Sequence, residues 1–222
     1  LLKHTTETYE QQKQFIGNAS HELQTPLAIA TNKLELLIEK GNLQNEQAES
    51  IAEVMSIIER LVRLNKSLLL LTKIENKQFL DNQQILLNDI VQKNVSDLEE
   101  MSIFKKVKIT VNENAKLSIQ MDASLANIII SNLLKNAISH NVPNGDVFVE
   151  IAEKNIKISN TGDNEKLDEN LLFSRFYKPN SKSKGTGLGL AIVKAISDLY
   201  GLKVSYSFNN TLHFFQIEFS TV

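Results

Sequence analysis

Cysteine is missing from this sequence of 222 residues, which excludes disulfide frameworks, thiolate metal sites and cysteine nucleophiles. Histidine is scarce: four residues, far apart along the chain, are too scattered to build a metal cage from imidazoles. There is no excess of basic charge either. Lys and Arg total 24 against 26 Asp and Glu, a net charge of −2, whereas a general nucleic-acid binder needs a basic surplus to meet the phosphate backbone. No apolar run comes near the ~20 residues that span a bilayer; Leu68 to Leu71 is as long as any. No charged stretch followed by an apolar one opens the chain, so no secretory signal is read there. Because it begins at Leu1 rather than Met and stops right after a strand-like segment, the chain reads as an excised cytoplasmic piece of a longer protein.

What is present is ordinary globular material. Hydrophobic residues make up 42% and charged residues 23%, which argues against wholesale disorder. The length is about one and a half times the usual domain, so one large or two small domains are expected. Residues 1–77 are helical in pattern, with Gly17, Pro26 and Gly41 as the breakers. Phe15, Ile16, Ala19, Leu23, Leu27, Ala30, Leu34, Leu37 and Ile38 recur at three- and four-residue steps, the mark of one buried helical face. Lys40 to Asn45 reads as a turn, and a second periodic run follows through Ile51, Val54, Met55, Ile58, Leu61, Val62, Leu68, Leu69 and Leu71. Two antiparallel helices make a hairpin that cannot bury its apolar stripe alone. A second copy completes it as a dimeric four-helix bundle.

The grammar changes near Gln78. Val107–Val111, Leu117–Met121, Val147–Ile151, Ile156–Ser159, Val204–Phe208 and Phe214–Phe219 read as strands. Helices are expected over Asn88–Lys105, Ser124–His140 and Gly187–Tyr200. Strands alternating with helices and closed by an antiparallel pair predict a two-layer α/β sandwich for residues 78–222, hinged to the hairpin at Glu75–Gln78.

Three clusters could carry chemistry. At about 100° per residue, the apolar face of the first helix centres near Leu23 and Ala30 and leaves His21 roughly 165° away, on the solvent side. Thr25 shares that side one turn on, Glu22 is adjacent, and Pro26 removes the donor to the Glu22 carbonyl. Taken alone, His21 is also compatible with an ordinary exposed histidine. Asn132 and Asn136 stack at i and i+4 on a helix that is apolar nearly all round. They either cap neighbouring backbone or turn their carbonyl oxygens to a cleft, where a hard cation such as Mg²⁺ could take them as ligands. The third cluster is Gly185-Thr186-Gly187-Leu188-Gly189 leading into a helical run, which lets backbone approach a phosphate chain at a helix N-terminus. It is neither a Walker A loop nor a dinucleotide fingerprint. Lys182 and Lys184 precede it, and Asn160-Thr161-Gly162 follows a strand.

In this order, the segments resemble the transmitter module of a sensor histidine kinase of a two-component system. Phe15–Leu27 (FIGNASHELQTPL) is similar to the family's H box, Asn132–Asn141 (NLLKNAISHN) to its N box and Ile158–Gly162 (ISNTG) to its G1 box. Leu172–Lys178 (LFSRFYK) resembles the F box and Gly185–Lys194 (GTGLGLAIVK) the G2 box. The resemblance implies a GHKL-type sandwich after the bundle, and roles for single residues. His21 would be the phosphoacceptor, Glu22 its orienting base, and Thr25 the residue that positions water for dephosphorylating the partner. Asn136 with Asn132 would bind Mg²⁺. Ser139 and His140 would line the N-box end of the ATP site, Asn160 would meet the adenine amino group, and Gly162 would let the base pack closely. Gly185, Thr186, Gly187, Leu188 and Gly189 would shape the phosphate end. Residues 164–184 would form a lid, anchored by Phe173 and Phe176, with Lys178 near the phosphates.

The chain departs from the family pattern at four places. Asn160 stands for the usual Asp, Asp163 and Asn164 occupy the place of the second G1 glycine, Ser139 replaces a basic residue, and Lys178 replaces Arg. An amide oxygen is a weaker acceptor than a carboxylate, and lysine lacks the guanidinium fork. The expectation is an ATP-dependent histidine kinase core acting as a homodimer, passing phosphate to an aspartate of a response-regulator receiver domain. It would be the cytoplasmic portion of an inner-membrane sensor anchored through a missing N-terminal region. One alternative is a degenerate kinase serving mainly as phosphatase or scaffold. A remote one is an ATPase without phosphohistidine, which would need a carboxylate in the N box.

Overall fold

The computed structural model describes residues 2–41, 43–79, 81–163, 165–179 and 185–219, with side chains from Gly17 onward. The chain divides into two compact units, Leu1–Asn76 and Lys77–Val222. The first is the hairpin: α1 (Leu2–Glu39) and α2 (Asn45–Glu75). Gly41, at φ +73°, supplies the left-handed residue that lets α1 stop. Gln44 and Gln47 form a reciprocal capping box that starts α2, with the Gln44 N–H donating to Gln47 Oε1 at 3.0 Å.

The two helices touch closely where side chains are small. The Thr72 methyl lies 3.4 Å from where a Cβ on Gly17 would stand, and Asn65 Nδ2 donates to the Ser20 carbonyl at 2.5 Å. The expected apolar face of α1 needs correcting. The side that packs on α2 runs through Ser20, Leu27, Thr31 and Leu34, all buried or half-buried, while Leu23 is 51% exposed. Leu23 and Leu37 on α1, with Val54, Ile57 and Leu61 on α2, stay exposed. Periodicity alone averaged two apolar stripes into one face, because both repeat with the helical turn.

The second unit holds β1 (Asn82–Leu86), α3 (Leu87–Asp97), α4 (Glu99–Lys105), β2 (Lys108–Glu113), β3 (Ser118–Asp122) and α5 (Ala123–Ser139). It continues with β4 (Asp146–Ile151), β5 (Asn155–Thr161), α6 (Gly189–Leu199), β6 (Lys203–Asn209) and β7 (Leu212–Glu218). A five-stranded sheet runs in the order β2-β4-β5-β7-β6, and β1 pairs with β3 in a two-stranded sheet. Only β2 and β4 are parallel; the remaining pairs are antiparallel. Alternation on β4 turns Val147, Val149 and Ile151 inward. They are fully buried, as are Ile129, Ile130, Leu133 and Leu134 of α5 and Val193 and Ile196 of α6, so helices and sheet form two layers over one core. β1 was not expected from the sequence. The single helix expected over Asn88–Lys105 is two, because Leu98 leaves helical geometry (φ −104°, ψ 6°) and is buried.

Candidate functional site

On α1, His21, Glu22 and Thr25 are all exposed, as the helical arithmetic places them. Pro26 sits inside the same helix and withholds the N–H that the Glu22 carbonyl would otherwise receive. The opposite side of that turn is held from α2 by the bond from the buried Asn65 to the Ser20 carbonyl. The phosphoacceptor candidate thus faces water from a turn whose inner side is fastened.

In the second unit the candidate site is built on α5, which Asp122 starts by accepting from the Ser124 and Leu125 N–H groups at 2.8 and 3.2 Å. The Asn132 amide N–H donates to the Ile128 carbonyl at 2.9 Å, and among the described residues nothing donates to its Oδ1. That oxygen lies 3.0 Å from the position of a Cβ on Gly189, so a side chain there would crowd it. The half-buried Asn136 side chain has no hydrogen-bond partner among the described residues. Among the described residues no group of three or more acidic or imidazole side chains is gathered to hold a metal. Two amide oxygens with free lone pairs are nonetheless the hard, neutral donors that Mg²⁺ takes when phosphate oxygens and waters complete its shell. Ser139 and His140 are exposed at the end of α5, where the His140 N–H bonds the Asn136 carbonyl at 3.0 Å. Desolvation holds the His140 imidazole below its ordinary pKa; the Asp163 charge opposes this, and His213 and Lys105 add to it.

The glycine turn meets the F-box segment through backbone. Gly187 has φ +76°, and a Cβ on it would fall 2.7 Å from the Phe176 carbonyl carbon, so only glycine fits. The Phe176 N–H donates to the Gly187 carbonyl at 2.8 Å, and Phe176 itself is left-handed at φ 65°. Phe176 is 54% exposed and Phe173 half-buried, so neither is the anchor expected of them; Leu172, just before, is buried instead. Gly185 is exposed, Thr186 and Lys178 are half-buried and Leu188 is fully buried. The Thr186 hydroxyl accepts from the Leu188 N–H at 3.4 Å, and α6 begins with no side-chain cap, leaving its first N–H groups and dipole to an incoming anion. Lys182 and Lys184, and residue 164 of the expected lid, lie outside the described residues.

Asn160, one residue before the end of β5, is 4% exposed and lies opposite His213 of β7. Its Nδ2 donates to the Thr161 carbonyl at 2.8 Å, and among the described residues nothing donates to its Oδ1. Gly162 is small where the His213 ring comes close. Its Cβ position would lie 2.6 Å from the His213 ring, so the vacancy is filled by imidazole. Around it, Thr161 Oγ1 donates to Asn141 Oδ1 and accepts from the Asp146 N–H at 2.9 Å, knitting the ends of α5, β4 and β5 together. Asn141, Thr161, Tyr206 and His213 were all missed as site residues. The signal for His213 was present: it shares the inward phase of β7 with Phe215 and Ile217.

Comparison with known proteins fits this layout. The family described as "His Kinase A (phospho-acceptor) domain" matches residues 11–77. "Histidine kinase-, DNA gyrase B-, and HSP90-like ATPase" matches residues 121–220. The chain is 31% identical over 197 residues to the heme sensor protein HssS of Staphylococcus saprophyticus, covering 86% of this chain and 42% of that protein. It is 29% identical over 212 residues to the signal transduction histidine-protein kinase ArlS of Staphylococcus haemolyticus, covering 90% of this chain and 47% of that protein. The chain therefore spans less than half the length of these curated relatives. In fold it resembles full-length ShkA crystallised with AMPPNP (TM-score 0.75, 20% identity, 94% of this chain and 47% of the other). It also resembles the Acinetobacter baumannii histidine kinase AdeS (TM-score 0.61, 22% identity, 90% and 97%). The chain belongs to the sensor histidine kinases.

Proposed function

We propose that this chain is the kinase core of a two-component sensor, in which residues 1–77 carry dimerisation and the phosphoacceptor and residues 78–222 bind ATP. The observation that carries the reading is the meeting of α5 with the glycine turn. The Asn132 oxygen stands against Gly189, at the start of α6, and Asn136 lies one turn along α5; among the described residues neither side-chain oxygen takes a hydrogen bond. Separate stretches of sequence thus converge on one anion-binding corner, with Asn160 at the base end of the same layer. When bound by Asn136 and Asn132, a divalent cation would neutralise phosphate charge and line up the transferring group.

In the transfer, a His21 imidazole nitrogen attacks the γ-phosphorus, a P–N bond forms and the bond to the bridging oxygen of ADP breaks. Glu22 takes the imidazole proton. The phosphoryl group then passes to an aspartate carboxylate of a receiver domain docked beside His21, the P–N bond breaking as the acyl phosphate forms. In a separate, opposing step Thr25 positions the water that hydrolyses the acyl phosphate to aspartate and inorganic phosphate. The second copy required by the exposed apolar stripe makes the acting form a homodimer. In the full-length protein this chain is the cytoplasmic part of a membrane-anchored sensor; among the described residues no helix is long and apolar enough to cross a membrane.

Incubation with Mg²⁺ and γ-labelled ATP tests the reading. Acid-labile, alkali-stable label on the parent chain and none on His21→Gln is the expected result. No label, with nucleotide binding intact, would instead favour a second reading in which the protein acts chiefly as a receiver phosphatase or scaffold. The feature favouring that second reading is Asn160, an amide that already donates to Thr161 and offers a weaker acceptor than a carboxylate.

A further inference from the structure

Beside the expected adenine end of the site runs a chain of hydrogen bonds that the reaction does not use directly. The Leu167 N–H donates to the Tyr206 hydroxyl at 3.2 Å. Tyr206 Oη is 2.9 Å from His213 Nδ1, and His213 Nε2 is 3.0 Å from the Asp163 carbonyl oxygen. A carbonyl can only accept, so His213 Nε2 carries a proton, and in the neutral ring Nδ1 accepts. The Tyr206 hydroxyl therefore gives its hydrogen to Nδ1 and takes one from Leu167. Each group has one role, and one imidazole tautomer satisfies all of them.

The packing is as constrained as the bonding. His213 is 6% exposed, lies 6.0 Å from Tyr206 ring to ring and 4.9 Å from Phe208, and occupies the space beneath Gly162. The Gly162 N–H is in turn held by the Thr211 carbonyl at 3.1 Å. Between them, β6 and β7 grip the chain at Gly162, Asp163 and Leu167, directly after Asn160. Asn160 stands where the G1 carboxylate would be, and no second G1 glycine is present to define the loop.

We propose that His213 and Tyr206 are positioning residues for nucleotide binding. They fasten Asp163 and Leu167 to the edge of β6 and β7, with Gly162 packed on the His213 ring, and so hold Asn160 in the geometry that receives the adenine. The proposal rests on the ATP-binding reading above, and it assigns to two strand residues the loop-setting task that the missing glycine would share. Neither touches the transferring phosphoryl group, so their loss acts on nucleotide affinity and leaves the chemical step alone.

The test measures binding of ATP, ADP and the β,γ-imido analogue of ATP by calorimetry, and KM and kcat for autophosphorylation, on four proteins: parent, Tyr206→Phe, His213→Phe and His213→Gln. Tyr206→Phe keeps both rings and removes the hydroxyl alone, so it gives a reading even where His213→Phe folds poorly. Loss of these bonds should weaken all three nucleotides by a similar factor, roughly tenfold, with kcat at saturating ATP within about twofold of the parent. His213→Gln can still donate to the Asp163 carbonyl and should recover most of the affinity lost in His213→Phe. Unchanged affinity in a folded Tyr206→Phe protein, a fall in kcat with KM unchanged, or His213→Gln no better than His213→Phe would each overturn the proposal. A parent chain that binds no nucleotide would overturn the ATP-binding reading and this proposal with it, whereas parent binding with unaffected variants removes the proposal alone.

Discussion

Asn65 is an amide buried between two helices, 4% exposed, and it gives an N–H to a carbonyl that already belongs to a helix. Replacing it with alanine removes a neutral hydrogen bond and opens a small void. The expected cost is about 1–2 kcal/mol, read as a lower urea midpoint for the hairpin unit. Because the bond ends on Ser20, next to His21, Asn65→Ala should also slow autophosphorylation without changing nucleotide affinity, which is set in the other unit. His140 supports a second expectation. Its folded pKa lies below the ordinary 6.5, so the unfolded chain binds more protons than the folded one as pH falls below that value. Stability contributed by the neutral ring is complete above pH 6.5 and declines as pH drops through the lower folded value. Denaturant midpoints measured on both sides of pH 6.5 should fall more steeply for the parent than for His140→Gln. An equal slope in the two proteins would mean that the ring is not the titrating group.

The glycine turn and the F-box segment act as a pair of elements. Gly187→Ala must place a methyl against the Phe176 backbone and hold alanine at φ +76°, a conformation costing roughly 1–2 kcal/mol for a residue with a Cβ. The expected outcome is a rise of at least about tenfold in KM for ATP, with the oligomeric state unchanged, measured by labelling kinetics and light scattering. Much of the element order was legible. The hairpin followed from apolar three- and four-residue steps, and Val147, Val149 and Ile151 announced β4 by strict alternation. β1 was not legible, because Asn82-Gln83-Gln84 carries no apolar phase and earns its strand only by pairing with Gln120, Met121 and Asp122 of β3. The break at Leu98 was hidden as well, since a leucine that stops a helix while staying buried looks like one that continues it. At the site, the boxes located Asn132, Asn136 and Gly189, but pairwise spacing cannot show that Gly162 is matched to a histidine some fifty residues later, a relation made by the β5–β7 register.

At the scale of the molecule, the hairpin exposes Leu23, Leu37, Val54, Ile57 and Leu61, apolar surface that water would penalise on an isolated chain. In the proposed homodimer a second copy packs its own stripe against this surface. Leu61→Asp should therefore convert the dimer to a monomer in sedimentation equilibrium, while leaving nucleotide affinity intact, because the ATP-binding candidates lie wholly within Lys77–Val222. Retention of the dimer would place the contact elsewhere on the hairpin.

The bond from the Phe176 N–H to the Gly187 carbonyl has an evolutionary corollary. It holds residues 176 and 187 together whatever the length of chain between them. Lengthening such a loop costs little, about 0.6 kcal/mol for each doubling, and leaves the clasped ends in register with α6. Insertions between residues 177 and 186 should then be tolerated by the fold far better than any substitution at Gly187. Sequence length there is free to vary, while the glycine that fastens its end is not free to change.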